Sequence, residues 1–195
     1  MLIGWTGPAR NAVLGAHGSA QSLPRELTLA KDKSLLQRFV PEQVPELQAL
    51  RKDHSQAAGA GKELAGTQAC EVSASFPASC GDKDSRCGVS VLGSGTAGKA
   101  AEIVLDVTKG LVTVDATALR NPDVRAGPLP AADANGGWTV SAIVDHSILE
   151  IIVNGATALV VYAYPADATF DKVALIGVTT GATLDVWSMM PANNM

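Results

Sequence analysis

From about residue 67 onward, apolar and polar residues alternate in short runs that are rich in valine and isoleucine. Such alternation places successive side chains on opposite faces of a β-strand, and turn signals between the runs are typical of an all-β sandwich. The pattern predicts strands over Thr67–Ser75, Cys87–Leu92, Ala101–Val107, Leu111–Asp115, Trp138–Asp145, Ser147–Val153, Thr157–Ala163, Lys172–Val178 and Thr183–Met189.

Four segments between these runs are predicted as turns or loops. Asn154-Gly155 separates SILEIIV from TALVVYA, and both residues tolerate the positive φ of a type I′ turn. Lys109-Gly110 marks a second turn. Gly93–Gly98, GSGTAG, lacks the GKS/T ending of a phosphate-binding loop and predicts a surface turn. Asn121–Gly137 is rich in Pro, Gly and Asp and predicts a long loop.

The first 66 residues predict a different organisation. Leu27 and Leu29 indicate a strand, residues 31–33 a turn and residues from Leu35 onward a returning strand. Residues 46–51 could form one helical turn after Pro45.

These patterns divide the protein into three parts. Residues 52–66, KDHSQAAGAGKELAG, have little apolar content and predict a linker or an exposed loop. The linker separates an N-terminal segment, 1–51, from a β-sandwich domain, 67–195.

Composition supports a packed domain and excludes some partners. Hydrophobic residues make up 47% of the 195 residues and charged residues 17%, which favours a core over disorder. Aromatic residues make up 4%, so the core must be mainly aliphatic. The net charge is -4 and Lys/Arg residues do not cluster, which argues against nucleic acid and against a membrane surface.

The N-terminal sequence MLIGWTGPAR lacks the basic start and apolar stretch of an ordinary signal peptide. No apolar run approaches the roughly 18–20 residues that a membrane-spanning helix needs. If Met1 is the true start, a cytosolic location is the default expectation. That expectation does not hold if the gene model is truncated. The compartment therefore stays open.

Cys70, Cys80 and Cys87 cannot all pair with one another, and their spacing matches no familiar zinc pattern. Free thiols, buried or half-exposed, are the favoured interpretation. A single Cys70–Cys80 or Cys80–Cys87 bridge is the alternative.

Six stretches of the sequence resemble segments of a known enzyme family. In order they are GW at Gly4-Trp5, SLPRELTL at Ser22–Leu29, LLQRFVPE and PELQALR within Leu35–Arg51, IVDHSILEIIVNG at Ile143–Gly155, YAYP at Tyr162–Pro165 and LDVWSMM at Leu184–Met190. The first three resemble the end of the catalytic domain of glycoside hydrolase family 32, which contains invertases, fructanases and fructosyltransferases. The last three are similar to the C-terminal domain of that family. Together, in this order, they are far more specific than any one alone.

The resemblance implies a five-bladed β-propeller followed by a jelly-roll-like antiparallel β-sandwich of two sheets, with residues 1–51 as a remnant of the last blade. In the family the catalytic carboxylates lie in propeller motifs of the WMNDPNG, RDP and EC kinds, and none of these occurs in the 195 residues. No catalytic residue can therefore be assigned by resemblance. Nothing in the sequence predicts a cofactor or a metal site.

The densest acidic neighbourhood in the sandwich is Asp145 with Glu150. Retaining glycoside hydrolysis needs two carboxyl groups about 5 Å apart. In one extended strand an odd separation places these two on opposite faces, unless a bulge at Ser147 changes the register. A cross-strand or interdomain hydrogen bond is the expected role of Glu150.

Other candidates have simpler structural interpretations. Asp145-His146-Ser147 contains the residue types of a hydrolase triad, but consecutive residues between two strands predict a turn. His17 and His54 lie in loop-like sequence and are expected to be solvated. Arg25-Glu26 predicts a structural salt bridge rather than a substrate contact.

Trp138 and Trp187 could form a sugar-stacking platform, but both fall within apolar strands, which favours a buried core position. Tyr162 and Tyr164, near a strand end, are the fair candidates for an exposed aromatic that stacks on sugar.

Three hypotheses follow. The first is a non-catalytic sandwich module of a family 32 enzyme, with a structural, oligomerisation or fructan-binding role. The second is a stand-alone carbohydrate-binding sandwich, and the third is a truncated, inactive gene product. The expected partners are a fructan or sucrose-type carbohydrate, and a propeller catalytic domain or a second copy of the protein.

Overall fold

Two six-stranded antiparallel sheets form most of the protein. The structure is a computed structural model, and it describes residues 2–6, 20–40, 44–59, 62–65, 67–81, 86–96, 98–120, 122–177 and 180–191. The strands are β1 Trp5–Thr6, β2 Ala20–Gln21, β3 Arg25–Leu29, β4 Leu35–Phe39, β5 Arg51–Ala58, β6 Glu63–Ala65, β7 Ala69–Phe76, β8 Cys87–Gly93, β9 Ala101–Asp106, β10 Leu111–Asp115, β11 Val124–Pro128, β12 Trp138–Asp145, β13 Ile148–Val153, β14 Thr157–Tyr162, β15 Lys172–Ile176 and β16 Thr183–Met189. One α-helix, α1, spans Val44–Ala49, and a 3₁₀ turn spans Ala78–Gly81. None of the helices in the described ranges is long and apolar enough to cross a membrane.

Sheet I has the strand order β11-β10-β9-β8-β15-β6, and sheet II has the order β14-β13-β12-β7-β16-β5. Each inner face is built by alternation, as in β16, where Leu184 and Val186 are buried and Asp185 lies on the opposite face. The core is mainly aliphatic; among its fully buried side chains are Val72, Ile103, Val112, Val140, Ile151 and Leu184. The prediction of an all-β, two-sheet antiparallel sandwich is confirmed.

Turn chemistry sets the register at the Asn154-Gly155 hairpin. Asn154 has a φ of 44° and Gly155 a φ of 63°, the positive values that a type I′ turn requires. The backbone nitrogen of Ala156 donates to the carbonyl oxygen of Val153 at 2.9 Å, which closes the turn predicted at these two residues.

The structure adds strands where the sequence predicts loops. Residues 52–66 contain most of β5 and all of β6, which are edge strands of sheets II and I rather than a linker. The strand β11 lies within the predicted loop Asn121–Gly137. All three are edge strands with few side chains in the core, so their sequences lack the apolar alternation that marks a half-buried strand.

Short strands at the N-terminus join neither six-stranded sheet. The strand β1 pairs with β2, and β3 pairs with β4 in the predicted hairpin, where Lys33 takes a φ of 68° in the turn. Leu2 forms an isolated bridge to Arg25. The helical turn predicted at residues 46–51 overlaps α1, which ends at Ala49, and Arg51 already belongs to β5.

Gly88 permits a close approach between backbone strands. Gly88 pairs with Val104 on one side and Ile176 on the other, in the middle of sheet I. A Cβ atom at this position would lie 1.9 Å from the carbonyl oxygen of Ile103. No side-chain rotation relieves a clash with backbone, so β9 would have to move.

Two of the three cysteines differ from the favoured interpretation of free thiols. Cys80 and Cys87 form a disulfide, with their Cα atoms 5.9 Å apart, because the 3₁₀ turn after β7 places Cys80 beside the start of β8. The alternative of a Cys80–Cys87 bridge is the one observed. Cys70 is a free thiol buried in the core, and burial raises its pKa to about 12.

Gly88→Ala should lower the free energy of unfolding by about 3–5 kcal/mol, because an inserted methyl group displaces backbone in a central strand. Gly110→Ala is the matched control, since a Cβ atom there meets nothing within 4 Å and only its φ of 64° opposes alanine. That variant should lose about 1–2 kcal/mol. Urea unfolding of both variants measures the difference, and equal losses would refute the close-approach argument.

Cys70 should resist iodoacetamide in the folded protein and react once the protein is unfolded, because only the thiolate attacks and burial suppresses it. Since the folded pKa is raised from 9.0 to about 12, this group's contribution to stability is complete below pH 9. It is lost as the pH rises towards 12. Mass spectrometry after iodoacetamide treatment, with Cys70→Ala as the control, measures the labelling of Cys70. Rapid labelling of the native protein would contradict the predicted protection of the thiol.

Candidate functional site

The outer face of sheet II carries one continuous row of side chains. Cross-strand pairing places Glu150 beside Ile143, Ile143 beside Glu71, Glu71 beside Trp187, and Trp187 beside His54. The N-terminal segment covers the Glu150 end of the row. The His54 end lies at the edge strand β5.

A buried ion pair joins the N-terminal segment to the sandwich. Arg25 Nη2 donates to Glu150 Oε2 at 3.0 Å, and the two residues are only 6% and 4% exposed. Glu150 Oε1 accepts a hydrogen bond from the backbone nitrogen of Leu23 at 2.7 Å. Both carboxylate oxygens of Glu150 are therefore engaged by the segment, whereas Arg25 Nε has no acceptor among the described residues.

Backbone hydrogen bonds extend this contact on both sides of Arg25. Arg25 and Leu2 exchange backbone hydrogen bonds of 2.7 and 2.8 Å. On the hairpin, the backbone nitrogen of Gln37 donates to the carbonyl oxygen of Gly155 at 2.6 Å, and its side-chain amide donates to that of Ala156. The N-terminal segment is thus held on the outer face of sheet II along a line from Glu150 to the β13–β14 turn.

Glu150 and Arg25 have the structural roles that the sequence predicts. The expected interdomain hydrogen bond of Glu150 is the contact with Leu23 and Arg25. The salt bridge expected at Arg25-Glu26 is realised as two pairs, Arg25 with Glu150 and Glu26 with Arg38. Sequence reasoning missed that Arg25 and Glu150 are partners of each other.

A cavity of about 260 Å³ lies beside this ion pair, between the N-terminal segment, α1 and the outer face of sheet II. Its walls are mostly apolar, and the polar and charged lining residues are Gln21, Asp145, His146 and Glu150. The apolar lining residues are Leu23, Leu47, Leu50, Ala69, Ile143, Val144, Ile148, Met189, Met190 and Pro191.

The placement of Asp145 and Glu150 corrects the sequence argument. They do not lie on opposite faces of one strand, because the backbone reverses at His146-Ser147 and places them on neighbouring strands. Asp145 pairs with Ile148 and Glu150 with Ile143, so both lie on the outer face of sheet II. The carboxylate of Glu150 is committed to Arg25, whereas that of Asp145 is exposed beside His146. The two carboxylates therefore lie in different environments, one buried and one exposed.

Asp145-His146-Ser147 forms the predicted turn. His146 has a φ of 53°, and its Nδ1 lies 2.8 Å from Asp145 Oδ1, with both side chains exposed. The backbone oxygen of Ser147 accepts from Ala163. Within the described part of the protein the Ser147 hydroxyl makes no hydrogen bond to His146, so the three residues do not form a catalytic relay.

At the other end of the row, four residues form a cluster around Trp187. Arg51 Cζ lies 4.0 Å from the Trp187 ring centroid, and its guanidinium donates to both oxygens of Glu71, at 2.7 and 2.6 Å. The His54 ring stacks on Trp187 at 4.8 Å, and its Nε2 lies 2.8 Å from Asp185. The hydrogen bond to Glu71 raises the pKa of Arg51.

This cluster overturns two expectations. Trp187 is half-buried on the outer face and is not a core residue, because β16 turns Leu184 and Val186 inward. His54 is exposed but lies in a strand, with Trp187 and Asp185 as partners, rather than in a solvated loop. His17 lies outside the described residues.

The remaining aromatic candidates are buried or half-buried. Trp138 is buried, as predicted, and its Nε1 donates to the carbonyl oxygen of Pro130 at 3.0 Å. Tyr162 is buried and stacks on the half-buried Tyr164, with ring centroids 5.8 Å apart. No group of three or more metal-ligating side chains occurs within the described ranges.

Glu150→Ala should destabilise the protein by about 3–5 kcal/mol or release the N-terminal hairpin, because it leaves Arg25 buried without its counter-charge. The double variant Arg25→Met/Glu150→Leu should recover part of this loss. Glu26→Ala is the matched control, since it removes the exposed pair with Arg38, worth at most about 1 kcal/mol.

Thermal unfolding and limited proteolysis of β3–β4 measure these effects. If Glu150→Ala is as stable and as protease-resistant as Glu26→Ala, the ion pair does not hold the segment in place.

Comparisons with known proteins agree with this architecture. The 195-residue protein superposes on exo-inulinase from Aspergillus awamori with a TM-score of 0.79 at 20% identity, covering 97% of this chain and 40% of that one. For sucrose-6-phosphate hydrolase from Lactobacillus gasseri the TM-score is 0.75 at 19% identity, with 97% and 38% coverage. A β-fructofuranosidase from Bombyx mori gives 0.67 at 17% identity, with 97% and 38% coverage.

At these identities the superpositions show the fold, and the chain spans 40% or less of the length of these three proteins. Comparison with curated protein sequences gives no match. Residues 42–188 match the family model described as "Glycosyl hydrolases family 32 C terminal". Because the match covers most of the sequence, the protein belongs to glycoside hydrolase family 32 and contains the C-terminal β-sandwich domain of that family.

Proposed function

We propose that this protein is a non-catalytic module of a family 32 enzyme that cleaves β-fructosidic bonds in sucrose or fructans. Its task is to hold the end of a propeller-type catalytic domain against the sandwich. The observation that carries the proposal is the buried pair between Arg25 and Glu150, because it fixes the N-terminal segment to the outer face of sheet II.

The apolar surface of the N-terminal segment supports this role. Leu29 is 70% exposed and Leu35 is 50% exposed on the hairpin β3–β4, and Leu2 and Ile3 are each 44% exposed. A two-stranded hairpin is marginal by itself, and unpaired strand edges are usually covered. These side chains face away from the core, so a propeller blade is the partner that we propose for them. A second copy of the protein is the alternative partner.

The arrangement of acidic groups supports a non-catalytic role. Family-type hydrolysis needs one ionised and one protonated carboxyl group facing the same glycosidic bond. Glu150 accepts hydrogen bonds at both oxygens, and Asp145 lies exposed in a turn beside His146. In the proposed enzyme, the reacting carboxylates are therefore supplied by the propeller.

Fructan binding is a second candidate function, favoured by a row of hydroxyl-bearing side chains on the outer face of sheet II, of which the Thr139 hydroxyl also donates to Asn154 Oδ1. Thr139 pairs with Ser75, and Ser75 pairs with Thr183, all three exposed. Hydroxyl groups can hydrogen-bond to sugar hydroxyls. Trp187 lies on the same face, four residues along β16 from Thr183, and it already contacts Arg51 and His54. Its stacking on a sugar would need these contacts to change.

The purified protein should release no hexose from sucrose, inulin or levan, because its two neighbouring acidic groups are not arranged as a catalytic pair. Reducing-sugar assays with repurified protein measure release, and a calorimetric titration with inulin runs beside them. Asp145→Asn is the matched variant, since the exposed carboxylate is lost without touching the Arg25–Glu150 pair.

Hexose release that survives repurification and is abolished in Asp145→Asn would refute the non-catalytic proposal. Saturable heat without turnover would support fructan binding as a second role of the same module. The absence of both heat and turnover would support a purely structural module.

A further inference from the structure

Two Asn-Gly dipeptides occur in the sequence, Asn135-Gly136 and Asn154-Gly155. In such a pair, the backbone nitrogen of glycine can attack the carboxamide carbon of asparagine, because glycine has no Cβ to hinder the approach. A new bond forms between that carbon and the backbone nitrogen, and the bond from the carbon to the amide nitrogen breaks with release of ammonia. Water then opens the five-membered imide to aspartate or isoaspartate.

The fold protects Asn154 from this reaction. Its Oδ1 accepts hydrogen bonds from the backbone nitrogen and the hydroxyl of Thr139, at 2.7 and 3.1 Å. Its Nδ2 donates to the carbonyl oxygens of Ala131 and Gly137, at 3.0 and 3.3 Å. Attack on the carboxamide carbon requires the side chain to leave all of these partners, and it lies in the tight turn that joins β13 to β14.

Asn135 lies in the opposite situation. It is exposed in the loop before β12, and its side-chain amide makes no hydrogen bond to any residue that the structure describes. Its backbone nitrogen donates to Asp133 Oδ1 at 2.8 Å. The attacking atom, the backbone nitrogen of Gly136, donates to the carbonyl oxygen of Asp133 at 2.9 Å. That single turn hydrogen bond must open, and surface turns open at little cost.

We propose that Asn135 is a site of spontaneous deamidation and isoaspartate formation, and that Asn154 is not. The reaction needs only hydroxide to remove the proton from the Gly136 nitrogen and water to open the imide. The net charge of the protein becomes one unit more negative than its value of -4. The new carboxylate lies close to that of Asp133, in the loop whose carbonyl groups hold Asn154.

Peptide mass spectrometry after incubation of the intact protein in mildly alkaline buffer tests the proposal. In native protein, acid and isoaspartate products at position 135 should accumulate at least about tenfold faster than at 154, equivalent to about 1.4 kcal/mol in activation free energy. In protein unfolded by guanidinium, both dipeptides should react at similar rates. Asn135→Gln is the matched control, because its longer side chain disfavours the five-membered ring, and it should remain amidated.

Two results would overturn the proposal. One is equal reaction at Asn135 and Asn154 in the native protein. The other is an intact Asn135 in native protein when the unfolded protein reacts there. A Thr139→Val variant adds a further check, since loss of one hydrogen bond to Asn154 should speed reaction at 154 and leave 135 unchanged.

Discussion

The structure depends on burying the charges of Arg25 and Glu150 together. An unpaired charge in this position would cost several kcal/mol, so neither residue can be buried without the other. Glu150 lies on the outer face of sheet II, where a sandwich strand normally meets water. The sandwich therefore has a face that is complete only when the N-terminal segment covers it. The hydrogen bond from Leu23 to the second oxygen of Glu150 extends that dependence from one side chain to the backbone of the segment.

The same ion pair occupies Glu150, one of the two acidic side chains that lie on neighbouring strands of this face. The Glu150 carboxylate is buried and accepts hydrogen bonds at both oxygens, one of them from a guanidinium, so it is shielded from a ligand. Asp145 lies on the adjacent strand and on the same face, but it is exposed and paired with His146. Asp145 and Glu150 are thus close in sequence and lie on the same face, but their carboxylates have different partners.

Sequence patterns predict the strands that bury an apolar face and miss those that do not. The bounds of β10, β12 and β16 agree with the prediction, because each alternates core and surface residues. The edge strand β5, RKDHSQAA, puts few side chains into the core, and its strand character comes from pairing with β16. The same patterns predict that Trp187 is a core residue, because an aromatic residue in an apolar strand is usually buried. Only the burial of Leu184 and Val186 shows that Trp187 lies on the outer face of β16. The Arg25–Glu150 pair spans 125 residues of sequence, and no local pattern identifies such a pair.

The outer face of sheet II is divided into two halves that satisfy their polar groups in different ways. Around Trp187, Arg51 pairs with Glu71 and His54 hydrogen-bonds to Asp185, so these four side chains already have partners. Around Glu150, the partner is the N-terminal segment. That segment covers this half of the face and in turn exposes the apolar side chains of Leu29 and Leu35. The next contact in a larger assembly is therefore expected at the hairpin β3–β4 rather than at the Trp187 cluster. Burial of a leucine side chain gains about 1.5–3 kcal/mol, whereas opening satisfied ion pairs gains nothing.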